Sequence, residues 1–152
     1  MSESIFKENL FEGKKVFITG GATGMGLGFA KAFLEHGADV LIASRKEENL
    51  SKAASEIKEQ TGKTLHWKMM DVRNNETVEE VAKYIKDKWG YLDVLVNNAA
   101  GNFVTPAAAM SENAWRAVID IVLDGTFRVS KACYPLLRNN DCLLYTSPSP
   151  RD

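Results

Sequence analysis

Short runs rich in apolar residues alternate along this chain with stretches in which apolar residues recur at helical spacing. Four such runs occur, at residues 16–19, 40–43, 65–69 and 93–96. Their length and near-continuous apolar character are typical of strands that are buried on both faces. Strands that alternate with helices predict an α/β fold, in which helices cover both faces of a parallel sheet.

The intervening stretches predict four helices. In the first, Leu27, Ala30, Phe33 and Leu34 recur at helical spacing, and Gly37 ends the helix. The second spans residues 46–60 and the third spans residues 75–88. A longer fourth helix starts near Ser111, whose hydroxyl suits an N-cap. Its predicted apolar face is made of Trp115, Val118, Ile121, Val122, Val129 and Leu136.

The alternating pattern stops after residue 138, where a fifth apolar strand would be expected. The chain instead ends in a Ser-Pro repeat, and proline cannot donate the hydrogen bond that a central strand needs. We therefore expect one domain over residues 1–138, truncated after about four strands. Residues 139–152 are expected to form an unstructured tail that is foreign to this domain.

Composition and charge narrow the class of protein. The 152 residues are 45% hydrophobic and 26% charged, with a formal net charge of -1. This balance suits one soluble domain and argues against a nucleic-acid partner, which would require basic clustering. No apolar stretch is long enough for a membrane span, and the N-terminus lacks a signal or transit pattern, so we expect a cytoplasmic protein.

The cysteines and histidines do not form a metal-binding pattern. Cys133 and Cys142 are not arranged as a C-x-x-C pair, and His36 and His66 stand apart from them. We expect no metal site, and we interpret both cysteines as small, reduced hydrophobic residues.

The first candidate site is the glycine-rich turn between the first strand and its helix. Backbone N–H groups at a helix N-terminus favour phosphate, and glycines let the chain approach such a ligand closely. The alternative is a tight turn with no ligand. The candidate residues are Gly20, Gly21, Ala22, Thr23, Gly24, Met25 and Gly26.

A second Gly/Asn-rich segment, residues 97–103, directly follows the fourth strand. In a Rossmann-like doubly wound sheet of order 3-2-1-4, the ends of strands one and four flank the same crevice. Both segments would then face one cleft, which favours nucleotide binding. The alternative is that the asparagines only close a turn.

The end of the second strand bears on the choice of cofactor. An NAD site has an acidic residue about 20 positions after the glycine turn, but here Ser44, Arg45 and Lys46 occupy this place. Two cations favour the 2′-phosphate of NADP. The alternative is a solvated basic start of the second helix.

Three motifs together resemble those of the short-chain dehydrogenase/reductases. They are T-G-G-A-T-G-M-G, Asp71 after the third strand, and W-G-Y-L-D-V-L-V-N-N-A-A-G. The resemblance covers residues 12–138. Residues 97–103 and 120–127 are most similar to NADPH-dependent 2,4-dienoyl-CoA reductases. Many members of the superfamily have Asn where this chain has Val122, a departure that these reductases share.

The resemblance also implies roles for individual residues. Residues 20–25 would wrap the NADPH pyrophosphate, Arg45 would meet the 2′-phosphate and Asp71 would contact the adenine. Asn98 and Ala99 would lie along the cofactor. Arg73, Phe103 and Ser111 would help to hold an acyl-CoA substrate, and Asn102 would line the reaction site. Three of these residues have structural alternatives: a surface ion pair for Arg73, core packing for Phe103 and a helix cap for Ser111.

The superfamily's proton-transfer pair, Tyr-x-x-x-Lys on the helix after the fifth strand, has no counterpart in this sequence. Tyr84 and Lys88 have the right spacing, but they precede the fourth strand on a helix that we expect to face away from the cleft. Tyr134 is followed by Arg138 and is interpreted as a packing residue. We therefore predict no catalytic residue in this chain.

The resemblance implies that the parent protein is an NADPH-dependent 2,4-dienoyl-CoA reductase of unsaturated fatty acid β-oxidation. The alternatives are another NADP-dependent short-chain reductase, such as a 3-oxoacyl reductase, or a catalytically inactive NADP-binding fragment. An acyl-CoA is the expected partner, with no nucleic acid and no membrane. A homo-oligomer formed through the helix from Ser111 is expected of the parent.

Overall fold

A computed structural model of the chain describes residues 7–101 and 104–138. In this part of the chain, four parallel strands form one sheet of order β3-β2-β1-β4. The strands are β1 (Lys15–Thr19), β2 (Asp39–Ser44), β3 (His66–Met69) and β4 (Val94–Val96). The helices are α1 (Gly24–Glu35), α2 (Glu47–Thr61), α3 (Asn75–Trp89), α4 (Glu112–Ile119) and α5 (Gly125–Arg138). The predicted α/β fold and strand order are confirmed.

Strand β1 lies at the centre of this sheet, between β2 and β4. Val16 is opposite Val40 on one side and opposite Val94 on the other. Because successive side chains of a strand point to opposite faces, Phe17 enters one hydrophobic core and Ile18 enters another. The helices therefore cover both faces, and the strand ends are left to build a site.

Each hydrophobic core combines strand residues with a pair of helices. On one face, α1 and α2 contribute Leu34 and Ile57 to the core that contains Ile18. On the other face, α3 and α5 contribute Ile85 and Val129 to a second core. Fully burying one such aliphatic side chain stabilises the fold by about 1.5–3 kcal/mol.

Strands β1 and β2 extend slightly beyond the apolar runs from which they were predicted, whereas β3 and β4 each begin one residue later than predicted. Strand β1 begins at Lys15 and β2 begins at Asp39, one residue earlier than expected in each case. These two residues are register partners, and the Lys15 ammonium pairs with the Asp39 carboxylate. The ladder continues into charged residues because the pair neutralises both side chains.

The long helix predicted from Ser111 is present, but it is not a regular α-helix throughout, and its predicted apolar face is wrong. A π-helical turn, Asp120–Asp124, separates α4 from α5. Hydrogen bonding from i to i+5 inserts one extra residue, which rotates the following helix by about 100° relative to the predicted face. Trp115 and Val122, both predicted on the apolar face, are therefore 54% and 43% exposed, whereas Val129 and Leu136 are buried.

Several predictions concern residues that the structure does not describe. These residues are Asn102, Phe103, Cys142 and the tail 139–152.

In the described part, β4 pairs with β1 alone, and its three residues are half-buried. None of the described helices combines the length and apolar character needed to cross a membrane.

Candidate functional site

The carboxyl ends of the strands border a cleft of about 370 Å³. Most of the predicted cofactor residues line it, and they come from segments that are distant in sequence. They are Gly20, Ala22, Thr23, Met25, Gly26, Arg45, Asp71, Asn98 and Ala99. The two Gly/Asn-rich segments predicted to converge therefore do meet at one cleft.

Glycine is required in this turn partly because the backbone has no room for a side chain. Gly20 has φ +65°, and a Cβ there would lie 2.9 Å from the Cα of Ala99. A Cβ on Gly26 would lie 2.4 Å from the carbonyl oxygen of Gly20. A Cβ on Gly21 would lie 2.5 Å from the side chain of Ile42, so this glycine serves packing between the turn and the sheet. Gly21 is not among the residues that line the cleft.

Gly24 differs from these glycines because space is open beside it. It begins α1 with φ +55°, and a Cβ there would meet nothing within 4 Å. The preceding N-cap residue, Thr23, makes no side-chain cap hydrogen bond, and the first turn of α1 holds no acidic residue. A helix N-terminus of this kind suits a phosphate group, so the turn fits the pyrophosphate of a dinucleotide.

Thr19 and Asn98 join the ends of β1 and β4 through four hydrogen bonds. The backbone N–H groups of Asn98 and Ala99 both donate to the Thr19 hydroxyl, each at 3.0 Å. The Asn98 side-chain amide donates to the carbonyl oxygens of Thr19 and Gly20, each at 3.1 Å. Asn98 thus holds the glycine turn against β4. Thr19 begins the T-G-G-A-T-G-M-G motif but was not predicted as a site residue, although a polar residue that ends a buried strand is a signal for such a contact.

Asn97 ties the same strand end to a different element. Its side-chain amide donates to the Ser130 hydroxyl of α5 at 3.0 Å. The neighbouring asparagines therefore join the end of β4 to two different elements, Asn98 to the turn after β1 and Asn97 to α5. This use of both amides shows that they do more than close a turn.

A basic rim lies where β2 ends. Ser44, Arg45 and Lys46 all line the cleft, as the cofactor argument required. Ser44 also fixes the neighbouring strand end, because its carbonyl oxygen accepts a hydrogen bond from Met70 N–H at 2.9 Å. Two cations at this position give the rim a local positive charge.

Asp71 and Arg73 form an ion pair beside this rim. The Arg73 guanidinium donates to both carboxylate oxygens of Asp71, with a shortest distance of 2.6 Å. Hydrogen bonds from Arg73 hold the pKa of Asp71 below its ordinary value, and the nearby Arg45 acts in the same direction. The same pairing raises the pKa of Arg73. The ion pair expected as an alternative role of Arg73 is therefore present.

Of the predicted substrate residues, the structure describes only Ser111 and Arg73, and neither is brought into the cleft. Ser111 is the N-cap of α4, and its hydroxyl accepts a hydrogen bond from Ala114 N–H at 3.2 Å. Ser111 and Arg73 are not among the cleft-lining residues. The helix cap predicted for Ser111 is confirmed, and its contact with a substrate stays a prediction.

The tyrosines considered as catalytic candidates lie on α3 and α5. Tyr84 lies on α3 and packs against the hydrophobic core, and the Lys68 ammonium lies 4.4 Å from the centre of its ring. No residue of α3 lines the cleft. Tyr134 is 53% exposed, so its predicted packing role is wrong, because the π-helical turn changes which face of α5 is buried. Burial raises the pKa of the Cys133 thiol to about 12, in keeping with its interpretation as an inert core residue.

Several wall residues of the cleft were missed as site residues, among them Asn49 and Met70. Val72 and Ile121 both line it, the first after β3 and the second from the π-helical turn. Ile121 was expected only on the apolar face of a continuous helix. Its place in the cleft depends on a turn that the apolar pattern does not reveal.

Curated relatives and solved structures resemble this chain over most of its length. A peroxisomal 2,4-dienoyl-CoA reductase, (3E)-enoyl-CoA-producing, of Danio rerio is 40% identical over 86% of this chain and 43% of its own. A Bacillus subtilis protein named probable 2,4-dienoyl-CoA reductase, (2E)-enoyl-CoA-producing, is 43% identical over 80% of this chain and 47% of its own. A short chain dehydrogenase of Shigella flexneri, complexed with NADP, is 30% identical with a TM-score of 0.81, over 89% of this chain and 58% of its own.

These comparisons and the glycine turn at the end of β1 indicate the same protein family. The chain spans less than half the length of the two curated relatives described above. The family model described as short chain dehydrogenase matches residues 14–141. The glycine turn, the parallel sheet and this match together establish that the chain belongs to the short chain dehydrogenase family.

Proposed function

We propose that the cleft binds NADPH and that residues 1–138 form the cofactor-binding part of a 2,4-dienoyl-CoA reductase. The observation that carries this proposal is the meeting of the glycine turn with Arg45 in one cleft. The names of the Danio rerio and Bacillus subtilis relatives support the substrate class. The NADP complex of the Shigella flexneri dehydrogenase supports the cofactor. The corresponding pathway role is reduction of dienoyl-CoA during the oxidation of unsaturated fatty acids.

Within this proposal, the chain's residues bind and orient the cofactor. The N–H groups of residues 20–26 hold the pyrophosphate, and Arg45 pairs with the 2′-phosphate. The carboxylate of Asp71 accepts a hydrogen bond from the adenine amine. Asn98 and Ala99 lie along the cofactor, with the Asn98 side chain fixing the turn from behind. When bound, NADPH supplies a hydride.

Substrate binding follows from the second set of predicted residues. We propose that Arg73 meets a CoA phosphate, since a guanidinium matches phosphate geometry. Asn102 lines the reaction site, Phe103 covers the acyl chain and Ser111 adds a polar contact. The chain itself is expected to bind these ligands without turnover, because it carries no Tyr-x-x-x-Lys pair at the position where the family has one.

The cofactor part of the proposal is tested by titrating the 152-residue chain with NADPH and NADH and following the heat of binding. We expect NADPH to bind more tightly. Arg45→Gln should weaken the binding of NADPH by about 10- to 100-fold and leave the binding of NADH nearly unchanged, because a charge-assisted hydrogen bond contributes about 1.5–3 kcal/mol. Lys83→Gln, which removes an exposed cation of α3, is the matched control. Equal affinity for the two cofactors would contradict the preference for NADPH.

The substrate class needs a catalytically complete protein. Residues 1–138 can be joined to the C-terminal half of the Bacillus subtilis relative, and NADPH oxidation followed by absorbance. We expect loss of NADPH with 2,4-hexadienoyl-CoA and little with acetoacetyl-CoA. The reverse preference would favour a 3-oxoacyl reductase. Turnover by the 152-residue chain alone would exclude the inactive-fragment alternative.

We also propose that the parent protein self-associates through α4 and α5. Large apolar side chains are exposed along these helices and the turn between them: Trp115, Leu123, Phe127 and Tyr134. An apolar face of this kind is typical of a surface that another subunit covers. The cytoplasmic location expected from the sequence stays a prediction, since the Danio rerio relative is named peroxisomal.

A further inference from the structure

The π-helical turn brings a helix residue into the wall of the cleft. Ile121 and Val72 both line the cleft. A Cβ on Gly101 would lie 2.8 Å from Cδ1 of Ile121, so this side chain also packs tightly against the segment after β4. The position of the turn therefore sets the shape of one cleft wall.

Arg128, on the first turn of α5, connects this π-helical turn to the segment after β3. Its Nη1 donates to the Asp120 carboxylate at 2.8 Å and to the Asp120 carbonyl oxygen at 3.3 Å. The same nitrogen donates to the carbonyl oxygen of Val72 at 3.4 Å. One guanidinium thus joins two segments that are more than 40 residues apart in sequence and that both supply cleft wall.

The two segments also touch directly, so a shift of one would move the other. A Cβ on Gly125 would lie 2.8 Å from Cγ2 of Val72, which means that α5 begins in close contact with this side chain. Val72 is buried, and the carbonyl groups of buried residues need hydrogen-bond partners. Arg128 satisfies this carbonyl while its charge is balanced by Asp120.

We propose that Arg128 is a positioning residue for the cleft. Its guanidinium fixes the spacing between Val72 and Ile121, and so shapes the wall against which the adenosine half of the dinucleotide binds. Arg128 does not line the cleft, so it acts through these two residues. We call the contacts of Arg128 with Asp120 and Val72 the clamp. The identity of the ligand rests on the proposed function, whereas the clamp rests only on these contacts.

The clamp is tested by backbone amide hydrogen exchange on the 152-residue chain, followed by mass spectrometry. In Arg128→Met we expect faster exchange in both segments, residues 70–73 and residues 120–124. Lys83→Met, which makes the same replacement at an exposed position of α3, should leave both segments unchanged. Unchanged exchange of residues 70–73 in Arg128→Met would overturn the proposal.

The effect on the site is tested with adenosine 2′,5′-bisphosphate and with NADPH. Arg128→Met should weaken both ligands by about tenfold, the equivalent of one lost charge-assisted hydrogen bond, and Arg128→Lys should restore part of this affinity. Val129→Ala controls for lost stability, because it removes buried volume from the same helix without touching the clamp.

The outcomes separate the clamp from the proposed function. Full affinity in Arg128→Met, or an equal loss in a Val129→Ala variant of the same stability, would contradict the positioning role. If the parent chain binds neither nucleotide, the proposed function fails, and hydrogen exchange still decides whether Arg128 holds the two segments together.

Discussion

At the scale of single residues, the Thr19 hydroxyl is a buried acceptor on which two backbone hydrogen bonds of the site depend. It is 1% exposed and accepts two backbone N–H groups from the segment after β4. Buried donors that lose their acceptor cost free energy, because no water replaces it. The geometry of the cleft therefore depends on a hydroxyl group that need not touch any ligand.

We expect Thr19→Val to lower the free energy of unfolding by about 2 kcal/mol, since it keeps the shape of the side chain but leaves two buried donors without an acceptor. Urea denaturation followed by tryptophan fluorescence measures this loss. Thr19→Ser retains the hydroxyl and should cost less than Thr19→Val. A valine variant as stable as the parent would show that the two N–H groups find other partners.

The surroundings of His66 predict that the free energy of unfolding depends on pH. Burial lowers the pKa of this imidazole, and the Lys88 ammonium lowers it further, against a smaller opposing effect of Asp39. The unfolded chain then takes up the proton more readily than the folded chain. Stability is therefore complete above the ordinary histidine pKa of about 6.5 and falls as the pH drops below it.

Replacing the imidazole should remove this dependence. We expect His66→Gln to flatten the change in unfolding free energy between pH of about 7.5 and about 5.5, measured by urea titration at each pH. His36→Gln is the control for a general effect of losing a histidine. An unchanged slope in His66→Gln would assign the acid sensitivity to other groups.

At the scale of elements, the crossing of α1 over the turn after β1 allows no side chain at one position. A Cβ on Gly26 would lie 2.4 Å from the carbonyl oxygen of Gly20 and 2.5 Å from Nδ2 of Asn98. Two residues later, Gly28 is exposed and a Cβ there would meet nothing within 4 Å. The same helix therefore contains a matched pair of glycines.

Gly26→Ala should destabilise the chain by about 1–3 kcal/mol through overpacking against backbone. Gly28→Ala should instead stabilise it by about 0.5–1 kcal/mol, because alanine is the better helix former. Thermal unfolding followed by circular dichroism compares the two. Similar effects at both positions would mean that α1 can move away from the turn at little cost.

Most elements follow from the apolar pattern because burial on two faces leaves a clear signal. The strands containing Phe17 and Leu41 were predicted within one residue, and Arg45 was placed in the cleft by its distance from the glycine turn. The π-helical turn left no such signal, since one inserted residue changes the phase of a helix without changing its composition. Trp115 and Val122 were misplaced for this reason, and the contact of Arg128 with Val72 depends on tertiary geometry.

At the scale of the whole molecule, the exposed apolar face of α4 and α5 predicts self-association. We expect Phe127→Asp to reduce the mass measured by sedimentation equilibrium, because this ring is 64% exposed and a carboxylate cannot be buried cheaply. Phe29→Asp alters an exposed ring on α1, on the other side of the sheet, and should leave the mass unchanged. If the unsubstituted 152-residue chain is monomeric at all concentrations, this face is not a surface for self-association.

The central position of β1 has a consequence for the order in which the chain folds during synthesis. Its partners arrive at different times: its register partners in β2 are 24 residues away, whereas the bonds to Asp93 and Asn98 span 78 and 79 residues. Contacts this distant in sequence slow folding, because a long loop must close before they form. On the ribosome, β1 and β2 can pair early, but the glycine turn gains its support only once β4 has emerged. Until then, the edge of β1 that β4 later covers stays open to pairing with other chains, which makes this interval an aggregation-prone stage of synthesis.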